Sequence, residues 1–231
     1  MLDYILSVVM GASTFFSKEF LRRFEQHKSK FTSFTIGLAT VYVFLQLLPE
    51  AYVGISVYGI QMFFTTLIGF SIFHIGEKSI QMYGKRKGFR KKLEYLHLTV
   101  FLFYHVVVGI TLAELLGTNK LSGILFALSL SFVYLTTSAL FEDLHTEKRK
   151  HISGKRIVSA ATFLLGVVLS KTGLIPLVFL YPALGFVSGV LIYIVGKEVL
   201  PQYKASNPLY FAAGVIVYSI FILLLHGQGL I

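Results

Sequence analysis

The sequence predicts an all-α integral membrane protein, and two observations support this. Its 231 residues are 55% hydrophobic and 14% charged, whereas a soluble domain carries about 25% charged residues. The hydrophobic residues form continuous apolar segments, a pattern typical of membrane helices rather than of the alternating strands of a membrane barrel. We expect one transmembrane domain over residues 1–231. Its eight spans are predicted at residues 2–20, 34–53, 57–77, 93–116, 121–143, 157–171, 174–195 and 208–225.

The basic residues alternate between the loops that join these segments. Every Lys and Arg except Lys120 and Lys171 lies in or beside the first, third, fifth and seventh connections. Because Lys and Arg are retained on the cytoplasmic side, this alternation predicts eight spans with both termini extracytoplasmic. We expect the protein in the plasma (inner) membrane.

The formal net charge of +10 arises from these basic loops. The expected partners are therefore the lipid bilayer and, at the basic run of residues 84–92, anionic headgroups. Nucleic acid is not an expected partner, and a homodimer is compatible with the sequence. Since the chain contains no cysteine, disulfides and thiolate metal sites are excluded.

Two segments share a pattern of a glycine start and a Leu-Pro end. Residues 37–50 and 185–202 are these segments, and the predicted topology gives them opposite directions. Such a pair predicts an inverted repeat of spans 1–3 and 6–8, which is typical of secondary transporters. The alternative is ordinary helix termination by proline.

Short motifs in four segments resemble one family. Residues 37–51 end in Gln-Leu-Leu-Pro-Glu-Ala, residues 67–78 end in Gly-Glu-Lys, residues 185–201 end in Leu-Pro, and residues 207–225 contain Gly214. In order, they resemble spans two, three, seven and eight of the ZIP (zinc/iron-regulated transporter-like) metal permeases, whose second span typically ends His-Leu-Leu-Pro-Glu-Ala. The resemblance implies an eight-span fold and a divalent metal ion, such as zinc, as substrate; no other cofactor is expected.

The chain departs from this family where the family binds metal. In the fourth span, Tyr104, His105 and Val108 stand where the family has His, Asn and a carboxylate. In the fifth, residues 129–140 contain no His, acid or Pro. Since zinc requires three or four His, thiolate or carboxylate ligands, the usual two-metal site cannot form. The transport site is therefore remodelled, or transport has been lost.

The candidate pathway residues lie in the fourth and fifth segments: His105, Tyr104, Ser129 and Thr136. His105 would line a pathway as a proton-sensitive group. The alternative is a buried neutral histidine bonded to a hydroxyl such as that of Thr136. Tyr104 has core packing as its alternative, and the hydroxyls have close helix packing.

A second group of candidates lies at the predicted inner ends of two spans. His74 and Glu77 are one helical turn apart, and Glu142, Asp143 and His145 cluster at the inner end of span five. They would form a weak metal exit site, or would pair with Lys148, Arg149 and Lys150. No phosphate loop or nucleophile motif is present, so an enzyme is not expected.

Two functions follow from the sequence. The first is a ZIP-like permease with a remodelled site between spans four and five. The second is a ZIP-like homologue that does not transport and acts as a membrane scaffold or regulator through its basic loops.

Overall fold

The computed structural model describes residues 1–83, 89–143, 152–199 and 207–227. The regular structure in these ranges is helical throughout, which confirms the predicted all-α class. Short 3₁₀ turns occur at Glu25–His27, Gly59–Gln61 and Leu177–Phe179. The helices are α1 Leu2–Arg23, α2 Lys28–Tyr42, α3 Leu48–Val53, α4 Ile55–Tyr58, α5 Met62–Tyr83, α6 Phe89–Thr118, α7 Lys120–Asp143, α8 Ile152–Lys171, α9 Leu180–Val199 and α10 Pro208–Gly227.

Four helical stretches of the described chain are long and apolar enough to cross a membrane. They are Glu25–Ser79, Leu98–Thr118, Leu180–Lys197 and Pro208–Leu225. Glu25–Ser79 contains α2, α3, α4 and most of α5. Shorter apolar helices occur at Lys120–Thr136 and Ile157–Lys171. Leu209, Ile216 and Leu223 of α10 point outwards, as expected of a helix that faces lipid. The fold is that of a helical integral membrane protein.

The helical backbone does not stop where α2 ends, at Tyr42. It widens into a π-helical segment, Val43–Leu47, and continues into α3. The Leu48 N–H donates to the carbonyl of Val43, five residues back. Pro49 gives the physical reason. It has no N–H to donate, and in a regular helix its ring would clash with the carbonyl of Leu45. At Leu48 and Pro49 the sequence motif Leu-Pro therefore produces a local widening and not a helix end.

Three pairs of helices run in the same direction, because contacts along each pair progress together. In α6 and α8, His105 meets Ser159 and Glu114 meets Ser170. In α5 and α9, Gly69 meets Phe186 and Glu77 meets Lys197. In α2 and α10, Ser33 bonds Asn207 and Tyr42 contacts Tyr218.

Glycines allow these pairs to approach closely. A Cβ atom on Gly109 would overlap the Phe163 carbonyl oxygen, and one on Gly166 would overlap that of Val106. Gly37 with Gly214, and Gly69 with Gly189, show the same reciprocal arrangement. Small residues permit this contact in membranes, where packing rather than hydrophobic burial drives helix association.

Helix α6 lies at the centre of the bundle and packs against α5, α7, α8 and α9. The core around it contains large aromatic side chains that are almost completely buried, including Phe73, Phe126 and Phe163. It also contains His105 and Tyr104, so α6 carries the polar candidates into the interior of the protein.

Candidate functional site

His105 is completely buried on α6. Its ring stacks on Phe163 and lies against Phe101, with centroid distances of 4.1 Å in both cases. Tyr134 of α7 meets the ring edge to face at 5.3 Å. The histidine therefore occupies an aromatic box formed by α6, α7 and α8.

The hydrogen bonds of His105 define which nitrogen carries the proton. Nδ1 lies 3.1 Å from the carbonyl oxygen of Ser159. Because a carbonyl can only accept, the neutral ring has its proton on Nδ1, and Nε2 presents a lone pair. Nε2 is buried and has no hydrogen-bond partner in the part of the chain that the structure describes. A backbone carbonyl that fixes the tautomer in this way is typical of histidines that bind a metal or proton through the other nitrogen.

The partner of His105 differs from the one that the sequence suggested. Thr136 donates to the carbonyls of Phe132 and Val133 in its own helix. Thr162 of α8 lies near His105 Nδ1, at 3.4 Å, and donates to the Ser159 carbonyl at 2.7 Å. The fourth segment thus pairs through His105 with the sixth, a contact that span order alone does not reveal.

Tyr104 and Tyr134 extend the polar region on the other side of the ring. Their rings meet edge to face at 6.5 Å, and Tyr104 also contacts Phe73. The two hydroxyl groups interact with each other, although their geometry falls short of an ordinary hydrogen bond. Tyr104 therefore contributes packing surface and a hydroxyl group whose neighbour is that of Tyr134.

Sequence reasoning missed Tyr42 and Gln46 as site residues. Both are buried in α2 and its π-helical segment. The Tyr42 hydroxyl and both polar atoms of the Gln46 side chain have no partner among the described residues. Tyr42 lies within electrostatic reach of Tyr104 and Glu50. The signal was an amide in an apolar span three residues before a proline, because π-helical segments are frequent at functional sites.

We call the set Tyr42, Gln46, Tyr104, His105 and Tyr134 the neutral cluster. Its members share burial and polar atoms without a hydrogen bond of ordinary geometry in the described chain, and none of them is an acid, a lysine or an arginine. Ser131 of α7 also has a buried hydroxyl without a described partner, whereas Ser129 is bonded to the hydroxyl of Tyr218 at 2.8 Å. The structure therefore gives Ser129 a packing contact between α7 and α10.

The second group of candidates is only partly described. His74 is exposed and lies against Phe70 and Tyr193. Glu77 is buried, 2.5 Å from the amine of Lys197, and accepts a hydrogen bond from Tyr193 at 2.9 Å. His145 and the side chains of Glu142 and Asp143 lie outside the described residues. Among the described residues no three His, Asp or Glu side chains converge on a metal position, and a metal role for these candidates stays a prediction.

Fold and site together define a class: a helical membrane protein with an uncharged polar cluster in its interior. A comparison with protein-family models and with curated proteins finds no match for this chain.

Proposed function

We propose that the protein is a multi-pass membrane permease with a ZIP-like architecture and a remodelled transport site. The pathway runs between α6 and α7, the fourth and fifth spans, and passes His105. The observation that carries this proposal is the buried Nε2 of His105, which has no hydrogen-bond partner in the described chain. The His105 ring lies between Tyr104 and Tyr134, with ring centroids 5.8 Å and 5.3 Å away. Ionisable groups inside membrane helices are costly and generally mark pathways for ions or substrates.

The topology belongs to the same proposal. It has eight spans in the plasma (inner) membrane, extracytoplasmic termini, and spans 1–3 and 6–8 as an inverted repeat that rocks during transport. Opposite directions for α1 and α8 are compatible with alternating spans, since Asp3 meets Lys171 and Gly11 meets Ala160. Because the chain has no cysteine, single cysteines at positions 28 and 120 can be labelled in intact cells. Labelling at position 120 alone is expected, and labelling at 28 alone would reverse the orientation.

A transport assay tests the function itself. Purified protein in liposomes is loaded with a fluorescent chelator, and uptake of zinc and other divalent ions is followed alongside that of uncharged solutes. His105→Ala is expected to abolish the uptake, because it removes the acceptor at the centre of the pathway. His27→Ala, at an exposed histidine outside the bundle interior, is the matched control and should transport normally. Uptake that is unaffected by His105→Ala would reject the proposed pathway.

A second candidate function is a ZIP-like homologue without transport activity, which acts as a scaffold or regulator. The close packing of Phe101 and Phe163 on both sides of His105 favours this alternative. Its basic loops would bind anionic headgroups or a partner protein. Absence of flux for every solute tested, together with association with anionic vesicles that depends on the basic loops, is the result that would select this alternative.

A homodimer is compatible with either function. Cross-linking in the membrane tests whether the protein forms one.

A further inference from the structure

We propose that Phe101 is a lid over His105. The ring of Phe101 lies against the imidazole in the structure, and it has to swing aside before a solute reaches the buried Nε2. Covering His105 is a property of the lid alone. Its role as a gate of the pathway rests on the proposed permease, and it names the residue whose movement opens that pathway.

Helix geometry explains why Phe101 covers this histidine. The two residues are four apart on α6, so their side chains lie on the same face, one turn apart. Side chains on a helix also tilt toward its N-terminus, which brings the His105 ring over the turn that carries Phe101. The two ring centroids are 4.1 Å apart, with an angle of 56° between the ring planes. The contact is local to one helix, so a rotation of the Phe101 side chain breaks it without moving the backbone.

The other described rings around His105 are fixed in the core. Phe163 stacks on the imidazole and is completely buried. Tyr134 is also buried, and it packs against both Phe163 and Tyr104. The imidazole itself is anchored to α8 by the hydrogen bond from Nδ1 to the Ser159 carbonyl. Movement of any of these groups disturbs contacts between two or more helices.

Phe101 differs from these rings because it is only partly buried at the edge of the core. A partly exposed side chain changes rotamer more readily than one enclosed on all sides, since close-packed neighbours leave it no space. Among the described rings in contact with His105, Phe101 is therefore the one that leaves with the smallest loss of packing. The aromatic box around Nε2 is then the closed form of a site that opens at Phe101.

The position of the lid along α6 gives its side of the membrane. The helix runs from Phe89 to Thr118, so Phe101 lies nearer to its first residues than His105 does. In the proposed topology the basic connection before this span is cytoplasmic. Phe101 therefore closes the cytoplasmic side of His105.

Chemical modification of His105 measures the lid directly. Diethyl pyrocarbonate reacts with the lone pair of a neutral histidine, and mass spectrometry assigns the product to each histidine of the full-length protein in nanodiscs. In the wild type, His105 is expected to react slowly and the exposed His27 rapidly. Phe101→Ala removes the lid. It should raise the rate at His105, relative to that at His27, about tenfold, the factor that corresponds to the loss of one favourable aromatic contact.

Phe103→Ala is the matched control, because Phe103 is exposed on the same helix and contacts Phe186. It should leave the rate at His105 unchanged. Phe101→Leu is the milder second variant, with a smaller acceleration expected, and it decides the test if alanine prevents folding. An unchanged rate at His105 in the folded Phe101 variants, or an equal rise in Phe103→Ala, would overturn the lid.

Flux measurements on the same variants separate the lid from the permease. Faster modification of His105 together with faster solute flux in Phe101→Ala supports both. Faster modification without flux in any variant leaves the lid in place and rejects the permease. Faster modification with unchanged flux rejects the role of the lid as a gate. Flux in the wild type, with His105 modified equally slowly in wild type and Phe101→Ala, supports the permease and overturns the lid.

Discussion

The ends and the middle of the bundle treat polar groups in different ways. At one end Glu77 is paired with Lys197, and at the other Asp3 is paired with Lys171. In the middle, the neutral cluster retains hydrogen-bonding atoms without partners in the described chain. The charges at the ends thus join neighbouring helices, whereas several polar groups in the middle are buried without a hydrogen bond of ordinary geometry in the described chain.

The largest effect is expected at the Glu77 end. Lys197→Met removes a counter-charge from the buried Glu77 carboxylate, and breaking a buried pair in this way costs about 3–5 kcal/mol. We expect a corresponding drop in stability when the purified protein is unfolded in detergent by denaturant titration. The contact between α5 and α9 at this end should weaken at the same time, because the ion pair that joins them is lost.

Two further variants control this experiment. The double variant Glu77→Gln with Lys197→Met should recover most of the loss, because both charges of the pair are removed together. Lys120→Met, at an exposed lysine, should change stability by less than about 0.5 kcal/mol. If Lys197→Met is as mild as Lys120→Met, the ends are not held together by charge.

The next effect concerns the contact that positions His105. In Gly166→Ala the added methyl group would overlap the Val106 carbonyl and lie 2.9 Å from the Gly109 Cα atom. Since backbone cannot move aside as a side chain can, α6 and α8 must separate, at a cost of about 1–3 kcal/mol. This cost is measured by comparing the thermal unfolding of Gly166→Ala with that of the control Gly196→Ala, where open space surrounds the new methyl group. Equal stability of the two variants would contradict the close approach.

The sequence predicts the helices well because apolar composition over some 20 residues is a long, redundant signal. The segment at 34–53 was predicted as one span, and it is one helical stretch despite Pro49, with the π-helical segment absorbing the defect. The pairing of α6 with α8 could not be predicted in this way. It depends on glycines such as Gly109 and Gly166, which allow the two helices to approach closely. Their contribution can be recognised only when the partner helix is known.

The site was predicted in part. His105 and Tyr104 were found because a polar residue in an apolar span needs an explanation. Thr136 was named as an example of a hydroxyl that His105 would bond if it were a buried neutral residue. Its hydroxyl instead donates within α7, where a neighbouring carbonyl is within reach. Gln46 was considered only as part of the Gln-Leu-Leu-Pro-Glu-Ala motif. Its lack of a hydrogen-bond partner depends on how the folded chain packs around it and cannot be deduced from the sequence.

His105→Phe separates the structural and functional roles of the central histidine. A phenyl ring should fit between Phe101 and Phe163, and the Ser159 carbonyl retains its bond from Thr162. We expect a stability change within about 1.5 kcal/mol, because one hydrogen bond is lost and one unpartnered buried nitrogen is removed. Solute flux in liposomes should nevertheless disappear. Normal flux with normal stability would show that His105 is a packing residue.

The smallest change in stability is expected at Gln46. Leucine has similar volume and no polar atoms, so Gln46→Leu removes unpartnered donors and an acceptor from the interior. Replacing such groups by an apolar side chain is nearly neutral or slightly stabilising, within about 1 kcal/mol. Thermal unfolding in detergent, without added solute, measures this.

Gln46→Ala is the comparison, since it removes the same polar atoms but leaves a cavity that costs about 2 kcal/mol or more. A marked destabilisation by leucine itself, equal to that of alanine, would mean that the amide is bonded in the native protein. The middle of the bundle would then satisfy the polar groups of Gln46 as the ends satisfy their charges, and the difference between the two regions would not hold at this residue.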